Sequence, residues 1–323
     1  MSIEGRKLSM KQKKIAVVVP AYKVRLHLEN VVRELPEFID NVIVVDDACP
    51  EKSYKALENV DIKSLVVVRH DINMGVGGAL ISGYKKVLEL GCDIVIKIDG
   101  DGQMDSSYIE KLIEPILNNN ADYTKGNRFY DFNALKQMPK MRLFGNSALS
   151  FLVKMSSGYW NVMDPTNGFT AINKKALLSL DLDLLSKRYF FESDMLINLN
   201  IESAVVADVA IPAKYGDEES SLSITKTLFS FPQKLLRGLC KRIFYKYFVY
   251  DFNMASVYMI LGFPMVLGGT GFGLYRWIIG AVQNEANSAG TVMLSVLPII
   301  LGVQFLLQAI SIDIDSVPKK KQN

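Results

Sequence analysis

The stretch Ile94-Val95-Ile96-Lys97-Ile98-Asp99-Gly100-Asp101-Gly102-Gln103 decides how the chain is read. Its first half is apolar and β-branched, the composition of a buried central strand. It ends in two carboxylates separated by one glycine, a spacing that lets Asp99 and Asp101 turn toward one point. Gly100 and Gly102 allow tight backbone geometry and a close ligand approach. Two carboxylates with the Gln103 carbonyl form a hard, oxygen-only donor set that suits Mg²⁺ or Mn²⁺, with coordination positions left for water and phosphate. An acidic turn carrying solvated charges is the alternative for such a string taken alone.

Outward from this strand, elements alternate at a regular pitch. A β-branched run, Ile15–Val19, closes at Pro20 and precedes a helical pattern over Leu26–Leu35. Val42–Val45 reads as a second strand ending in Asp46-Asp47, Lys52–Val60 as helical, and Ser64–Val68 as a third strand. A glycine-rich turn over His70–Gly78 opens a helix running to about Leu90. Strands alternating with helices predict a mostly parallel, Rossmann-like sheet with right-handed crossovers. Ligands of such sheets bind at the carboxyl ends of strands, and Tyr22, Asp47, the Asn73–Gly78 turn and Asp99/Asp101 all fall there. The glycine turn matches neither the dinucleotide fingerprint nor the P-loop, which argues against a nicotinamide enzyme.

The chain has 323 residues, enough for one large α/β domain or two smaller ones. A net charge of +3 gives no bulk argument for nucleic acid. Three scattered cysteines, Cys49, Cys92 and Cys240, form neither a disulfide framework nor a zinc pattern, and a reducing compartment is the natural reading. The basic N-terminus lacks an apolar run long enough for a signal sequence.

Hydrophobic residues make up 49% of the chain and concentrate after about residue 250. Met254–Tyr275 and Thr291–Ile312 are each about 20 residues long and uncharged, long enough to span a bilayer. Before them, Lys234, Arg237, Lys241, Arg242 and Lys246 interleave with Phe229, Phe231, Phe244, Tyr245, Tyr247 and Phe248, a pattern suited to a helix in the membrane interface. Basic flanks, ending in Lys319-Lys320-Lys321, place the first domain and the C-terminus in the cytoplasm. Gly262, Gly268, Gly269, Gly271 and Gly273 permit close helix packing within or between subunits. The expected organisation is a basic tail (1–13), a catalytic domain (14–225), amphipathic juxtamembrane helices (226–252), two transmembrane helices (253–314) and a basic tail (315–323).

Seven segments in order, VVVPAY (17–22), VVDDACPE (44–51), N-x-G-x-G-G-A (73–79), IDGDGQ (98–103), KGNRF (125–129), DPTNGF (164–169) and FFESD (190–194), resemble inverting glycosyltransferase family 2, with a GT-A fold. Within it they are most similar to the polyprenyl-phosphate glycosyltransferases, over about residues 14–225. The resemblance implies transfer of a sugar from a UDP- or GDP-linked donor to undecaprenyl or dolichyl phosphate on the cytoplasmic membrane face, with Mg²⁺ or Mn²⁺ as cofactor. It implies a homo-oligomer, a tetramer in some relatives, and no nucleic-acid partner. By resemblance Pro20, Ala21, Tyr22 and Asp47 hold the nucleoside, with Asn73, Gly75, Gly100 and Asp164 completing the nucleotide-sugar site. Asp99, Asp101 and Gln103 match the metal and diphosphate positions. Arg128, Arg142 and Lys140 are acceptor-phosphate candidates, because guanidinium binds phosphate oxygens in pairs. Glu192 and Asp194 stand at the family's acidic base position; a phosphate acceptor, already largely dianionic at neutral pH, leaves them orientation and electrostatics.

Two departures from the family pattern leave the base, uridine or guanosine, open: Lys23-Val24 follows the Pro-x-Tyr, and Ala48-Cys49 replaces Gly-Ser. Two further readings remain: transfer to another lipid-linked or glycan hydroxyl, and a non-catalytic membrane module that keeps the nucleotide site.

Overall fold

The computed structural model describes residues 13–58, 60–62, 64–130, 140–212 and 224–320. The tail before Lys13, the acidic loop 217–223 and Lys321 lie outside the described residues, as do the side chains of Lys140 and Arg142. The chain divides into two compact units, one of residues 1–242 with 318–323 and one of residues 243–317.

The first unit is built on a seven-stranded sheet in the order β3-β2-β1-β4-β6-β5-β7. Strands β1 (Ile15–Ala21), β2 (Asn41–Asp46), β3 (Leu65–Arg69) and β4 (Ile94–Lys97) are all parallel. Between them run α1 (Leu28–Arg33) and α2 (Val76–Glu89). Strands β1, β2 and β4 are buried along their whole length apart from Pro20, as continuous apolar runs covered on both faces must be. Where a helix was expected after Lys52, only a 3₁₀ turn forms over Ser53–Leu57; Lys52 sits at φ +52° and lacks a capping side chain, so nothing starts a longer helix.

The sheet departs from parallel at β6 (Thr170–Asn173), a four-residue strand inserted antiparallel between β4 and β5 (Tyr123–Asn127). Its register sets Lys97 opposite Thr170, and Thr170 opposite Lys125. Strand β7 (Val206–Ala210) closes the edge, parallel to β5. Helices α3 (Ile109–Leu117), α4 (Lys140–Ser157), α5 (Lys174–Ser179), α6 (Phe191–Ile201) and α7 (Ile224–Phe244) complete the order to residue 244.

The chain adds β2 and β3 on one side of β1 and then β4 on the other, so the switch point lies between β1 and β4. Pro20 marks where the two strands part. The Val18 carbonyl accepts from Ile98 N at 3.2 Å, so Pro20, two residues on, faces the same neighbour beyond its last paired residue. A residue without an N–H is tolerated there because no ladder bond is lost.

Arg242, read from sequence as an interface cation, is instead 1% exposed. Its guanidinium donates to the carbonyls of Ser156 (2.8 Å) and Met155 (3.0 Å), the unsatisfied C-terminal end of α4. Ser156 Oγ in turn donates to Leu235 O at 2.8 Å, and Phe190 and Phe231 pack edge to face, so α7 is docked on this unit. Lys234 and Arg237 stay exposed.

The second unit holds a π-helical turn (Tyr245–Tyr250) and two long helices, α8 (Met254–Gln283) and α9 (Ala289–Asp315), both long and apolar enough to cross a membrane. A capping box formed by Asn253 and Ser256 opens α8. The helices meet at small residues: Ser295 Oγ donates to Gly269 O at 2.9 Å, and a Cβ at Gly262 would stand 3.0 Å from Gly302 O. Gly268 and Gly271 face open space.

Candidate active site

The carboxyl ends of β2 and β3 bring two loops together. Asp47, buried at the end of β2, accepts from the backbone N–H of Met74 (2.8 Å) and Gly75 (2.7 Å) and pairs with His70 Nδ1 at 2.8 Å. Asn73 donates back to Asp47 O at 3.2 Å. Asp47, expected at the nucleoside, thus braces the glycine turn with both oxygens. His70, whose Nε2 contacts Ser82 Oγ at 2.8 Å, was not singled out from sequence; its signal was a lone imidazole at a strand end facing a buried carboxylate.

The turn is pressed against a third segment. Gly75 has φ +85°, and a Cβ there would lie 2.7 Å from Lys187 O. Gly78 N donates to the same carbonyl at 2.8 Å. Ser186 N donates to Asp194 Oδ2 (2.8 Å), which ties the segment before α6 to that helix, while Asn198 Nδ2, one turn on in α6, donates to Asp194 Oδ1 (3.0 Å). Of the remaining nucleoside candidates, Ala21 at the end of β1 is buried and Tyr22, just beyond the strand, is 44% exposed.

Asp99 and Asp101 follow β4 as expected. Asp101 Oδ1 accepts from Gln103 N at 3.0 Å, which fixes the loop, while Gly102 turns it at φ +77°. Gly100 packs against Pro20 O and Val24, where a Cβ would crowd both. Asp99 Oδ1 lies 3.2 Å from Lys97 Nζ, whose other partner is Glu192 Oε1 at 2.8 Å. Lys97 is 3% exposed. Burial opposes its charge, yet the Asp99 and Glu192 carboxylates outweigh that and hold its pKa above the ordinary lysine range. Burial opposes the Glu192 charge as well, and Lys97 and Lys125 outweigh it, so its pKa falls. Glu192 is therefore held in its ionised form by the two buried lysines.

The Asp164–Phe169 turn lines the other side. Asp164, fully buried, accepts from Arg128 Nε at 2.7 Å and from its second nitrogen at 3.1 Å. Asn167 donates to Gly126 O at 2.7 Å and accepts through its own carbonyl from Lys125 Nζ. Lys125 is fully buried, and burial pulls its pKa down to about 8. Gly168 then passes so close to Lys97 Nζ and Asp99 Oδ2 that a Cβ would collide with the first and lie 2.9 Å from the second. Asp208, on β7, accepts from Met163 N at 2.7 Å through Oδ2, and burial raises its pKa to about 6.

Lys97, Lys125 and Asp208 were not singled out from sequence. A lysine inside a β-branched strand was the available signal for Lys97. Arg142 and Lys140 stand in the first turn of α4, their side chains outside the described residues.

Among the described residues no cluster of three or more His, Cys, Asp or Glu side chains forms a closed metal cage. Two carboxylates and one amide carbonyl, at an open strand end, instead fit a cation that shares its shell with a bound diphosphate. Fold and site together have the form of an α/β enzyme whose ligand lies in the crevice at a sheet's switch point.

The comparisons with known proteins agree. The family model described as glycosyl transferase family 2 matches residues 16–180. A UDP-N-acetylglucosamine–dolichyl-phosphate N-acetylglucosaminyltransferase of Methanococcus voltae is 34% identical over 223 residues, 64% of this chain and 88% of that protein. An undecaprenyl-phosphate mannosyltransferase of Micrococcus luteus is 29% identical over 189 residues, 56% of this chain and 76% of the relative. Among solved structures, glucosyl-3-phosphoglycerate synthase of Mycobacterium tuberculosis, in complex with Mn²⁺, UDP and glucosyl-3-phosphoglycerate, superposes with a TM-score of 0.56 at 18% identity, covering 75% of this chain and 84% of that one. The chain belongs to glycosyl transferase family 2, with the GT-A fold expected from its sequence, and it is a glycosyltransferase.

Proposed function

We propose that the enzyme moves a sugar from a nucleoside-diphosphate sugar to a polyprenyl phosphate at the cytoplasmic membrane face, inverting the anomeric carbon. The observation that carries this reading is that the loop holding Asp99 and Asp101 after β4 lies against the 164–169 turn, where a Cβ at Gly168 would stand 2.9 Å from Asp99 Oδ2 and Asp164 orients Arg128. Acceptor phosphates named for the relatives from Methanococcus voltae and Micrococcus luteus support it, as do two helices long enough to cross a membrane. Lys320 supports a C-terminus on the same side as the catalytic unit, since its Nζ donates to Asp122 Oδ1 at 2.6 Å within that unit.

Asp99, Asp101 and Gln103 would hold Mg²⁺ or Mn²⁺, which offsets charge developing on the departing β-phosphate. The chain's own residues do the rest. Asp47 and His70 fix the Asn73–Gly75 turn against the donor crevice. Arg128, oriented by Asp164, offers its half-exposed guanidinium to the acceptor phosphate. Glu192 and Asp194 hold the floor and the 186–194 segment; a dianionic phosphate needs no base to attack.

The test is a transfer assay on membranes containing the full chain, with labelled UDP- and GDP-sugars, Mg²⁺ or Mn²⁺, and undecaprenyl or dolichyl phosphate. Label entering the lipid fraction, lost by at least 100-fold in Asp101→Ala, is expected. Label that stays aqueous with every donor removes the acceptor assignment.

A further inference from the structure

Lys97 is a buried lysine placed two residues before Asp99, the first of the metal-side carboxylate pair. Strand register fixes it, since β4 pairs with β1 on one side and β6 on the other and Lys97 is its last residue. Its ammonium touches Asp99 Oδ1 at 3.2 Å and Glu192 Oε1 at 2.8 Å, from residues 2 and 95 positions away in the chain. Gly168 closes the third side, leaving no room for even a methyl group next to that nitrogen. The lysine is thus fixed within ion-pair distance of a carboxylate that a divalent cation would also engage.

We propose that Lys97 is a positioning residue that sets metal affinity: it competes with the divalent cation for Asp99, and Glu192 tempers that competition by drawing the ammonium away. The inference rests on the donor-site reading above and adds a control on it. A cation entering beside Asp99 meets the Lys97 charge, so the site binds metal weakly until the donor diphosphate adds its own negative oxygens. Asp99, held by Lys97, would then engage a cation fully only when the donor diphosphate is also bound.

Opposite signs in two variants test this. Lys97→Gln removes the charge but keeps a donor for Glu192; Glu192→Gln removes the tempering carboxylate and keeps its shape. Mn²⁺ alone is titrated into the detergent-solubilised full chain, with free Mn²⁺ followed by electron paramagnetic resonance and folding by thermal melting. Lys97→Gln is expected to bind Mn²⁺ at least fivefold more tightly than wild type, and Glu192→Gln at least threefold more weakly. In turnover, Lys97→Gln is expected to lower the Mn²⁺ concentration for half-maximal rate while reducing kcat.

A shared loss of affinity in both variants, the outcome of a merely structural role, overturns the inference, as does unchanged affinity in either. Should Lys97→Gln fail to fold, Glu192→Gln decides alone: unchanged or tighter Mn²⁺ binding overturns it. Wild-type transfer measured in parallel separates the two readings. Transfer with affinities that contradict the signs removes only the role of Lys97, whereas no transfer from any donor removes the donor-site reading beneath it.

Discussion

Arg128 and Asp164, 36 residues apart, form a two-bonded fork in which the carboxylate is fully buried and the guanidinium is 41% exposed. The buried partner sets the plane of the exposed one, so the cation is presented with a fixed orientation. Lysine carries the charge without the fork. Arg128→Lys is expected to cost about 1 kcal/mol of stability, a half-exposed pair being screened. Its larger effect is on turnover: the KM for polyprenyl phosphate should rise at least tenfold while the donor KM changes less than twofold. A rise in the donor KM alone would move Arg128 to the other side of the crevice.

Asp208 supplies a pH dependence with a definite sign. Burial raises its pKa from 3.8 to about 6, and its Oδ1 has no hydrogen-bond partner among the described residues. Between roughly pH 4 and 6 the unfolded chain has released this proton and the folded chain has not, so this group's contribution to stability falls as pH rises through that window. Asp208→Asn keeps an oxygen for Met163 N and carries no charge. It should melt higher than wild type at pH 7.5, with the gain gone at pH 4, in paired thermal scans.

Ala48 stands where the family pattern has glycine, and its φ is +51°. A Cβ in that region costs about 1–2 kcal/mol, against about 0.5–1 kcal/mol of extra chain entropy for glycine. Ala48→Gly is therefore expected to stabilise the protein by about 0.5–1 kcal/mol, read by denaturant titration. A destabilised variant would show that the Asp46–Cys49 turn is held by something other than its backbone.

The glycines of α8 are not equivalent. A Cβ at Gly269 would lie 2.8 Å from Ser295 O and 2.9 Å from Ile299, whereas Gly271 has nothing within 4 Å. Gly269→Leu should lose about 1–3 kcal/mol through overpacking, and Gly271→Leu close to none, by thermal melting in detergent. If Gly271→Leu instead shifts the protein to a smaller species on size exclusion, that face packs between subunits.

Much of this architecture was legible before any coordinates. The alternation of β-branched runs with helical segments, the order of the seven motifs and the two apolar segments are written in local composition. Burial of whole strands and long apolar helices leaves periodicities that need no knowledge of neighbours. Strand β6 was the main omission, because four residues following a turn carry too little pattern.

The charge partners were not legible. From sequence, Asp164 read as part of the nucleotide-sugar site with no partner named, Arg242 as a cation in the membrane interface, and Lys97 as one more strand residue. In the fold Asp164 is the anchor of Arg128, Arg242 caps the carbonyl end of α4, and Lys97 joins Asp99 to Glu192. Sequence by itself determined the mostly parallel sheet and the carboxylates at the carboxyl end of its fourth strand, since a strand's apolar run and its terminal turn are local features; the strand order, and with it the switch point, came from the fold. Which ions meet was decided only by tertiary structure. The antiparallel insertion of β6 swings the 164–169 turn across to β4, and the 190–194 segment closes over the same lysine. Ion pairs form between residues tens of positions apart, and their energy depends on burial and distance, which no local pattern encodes.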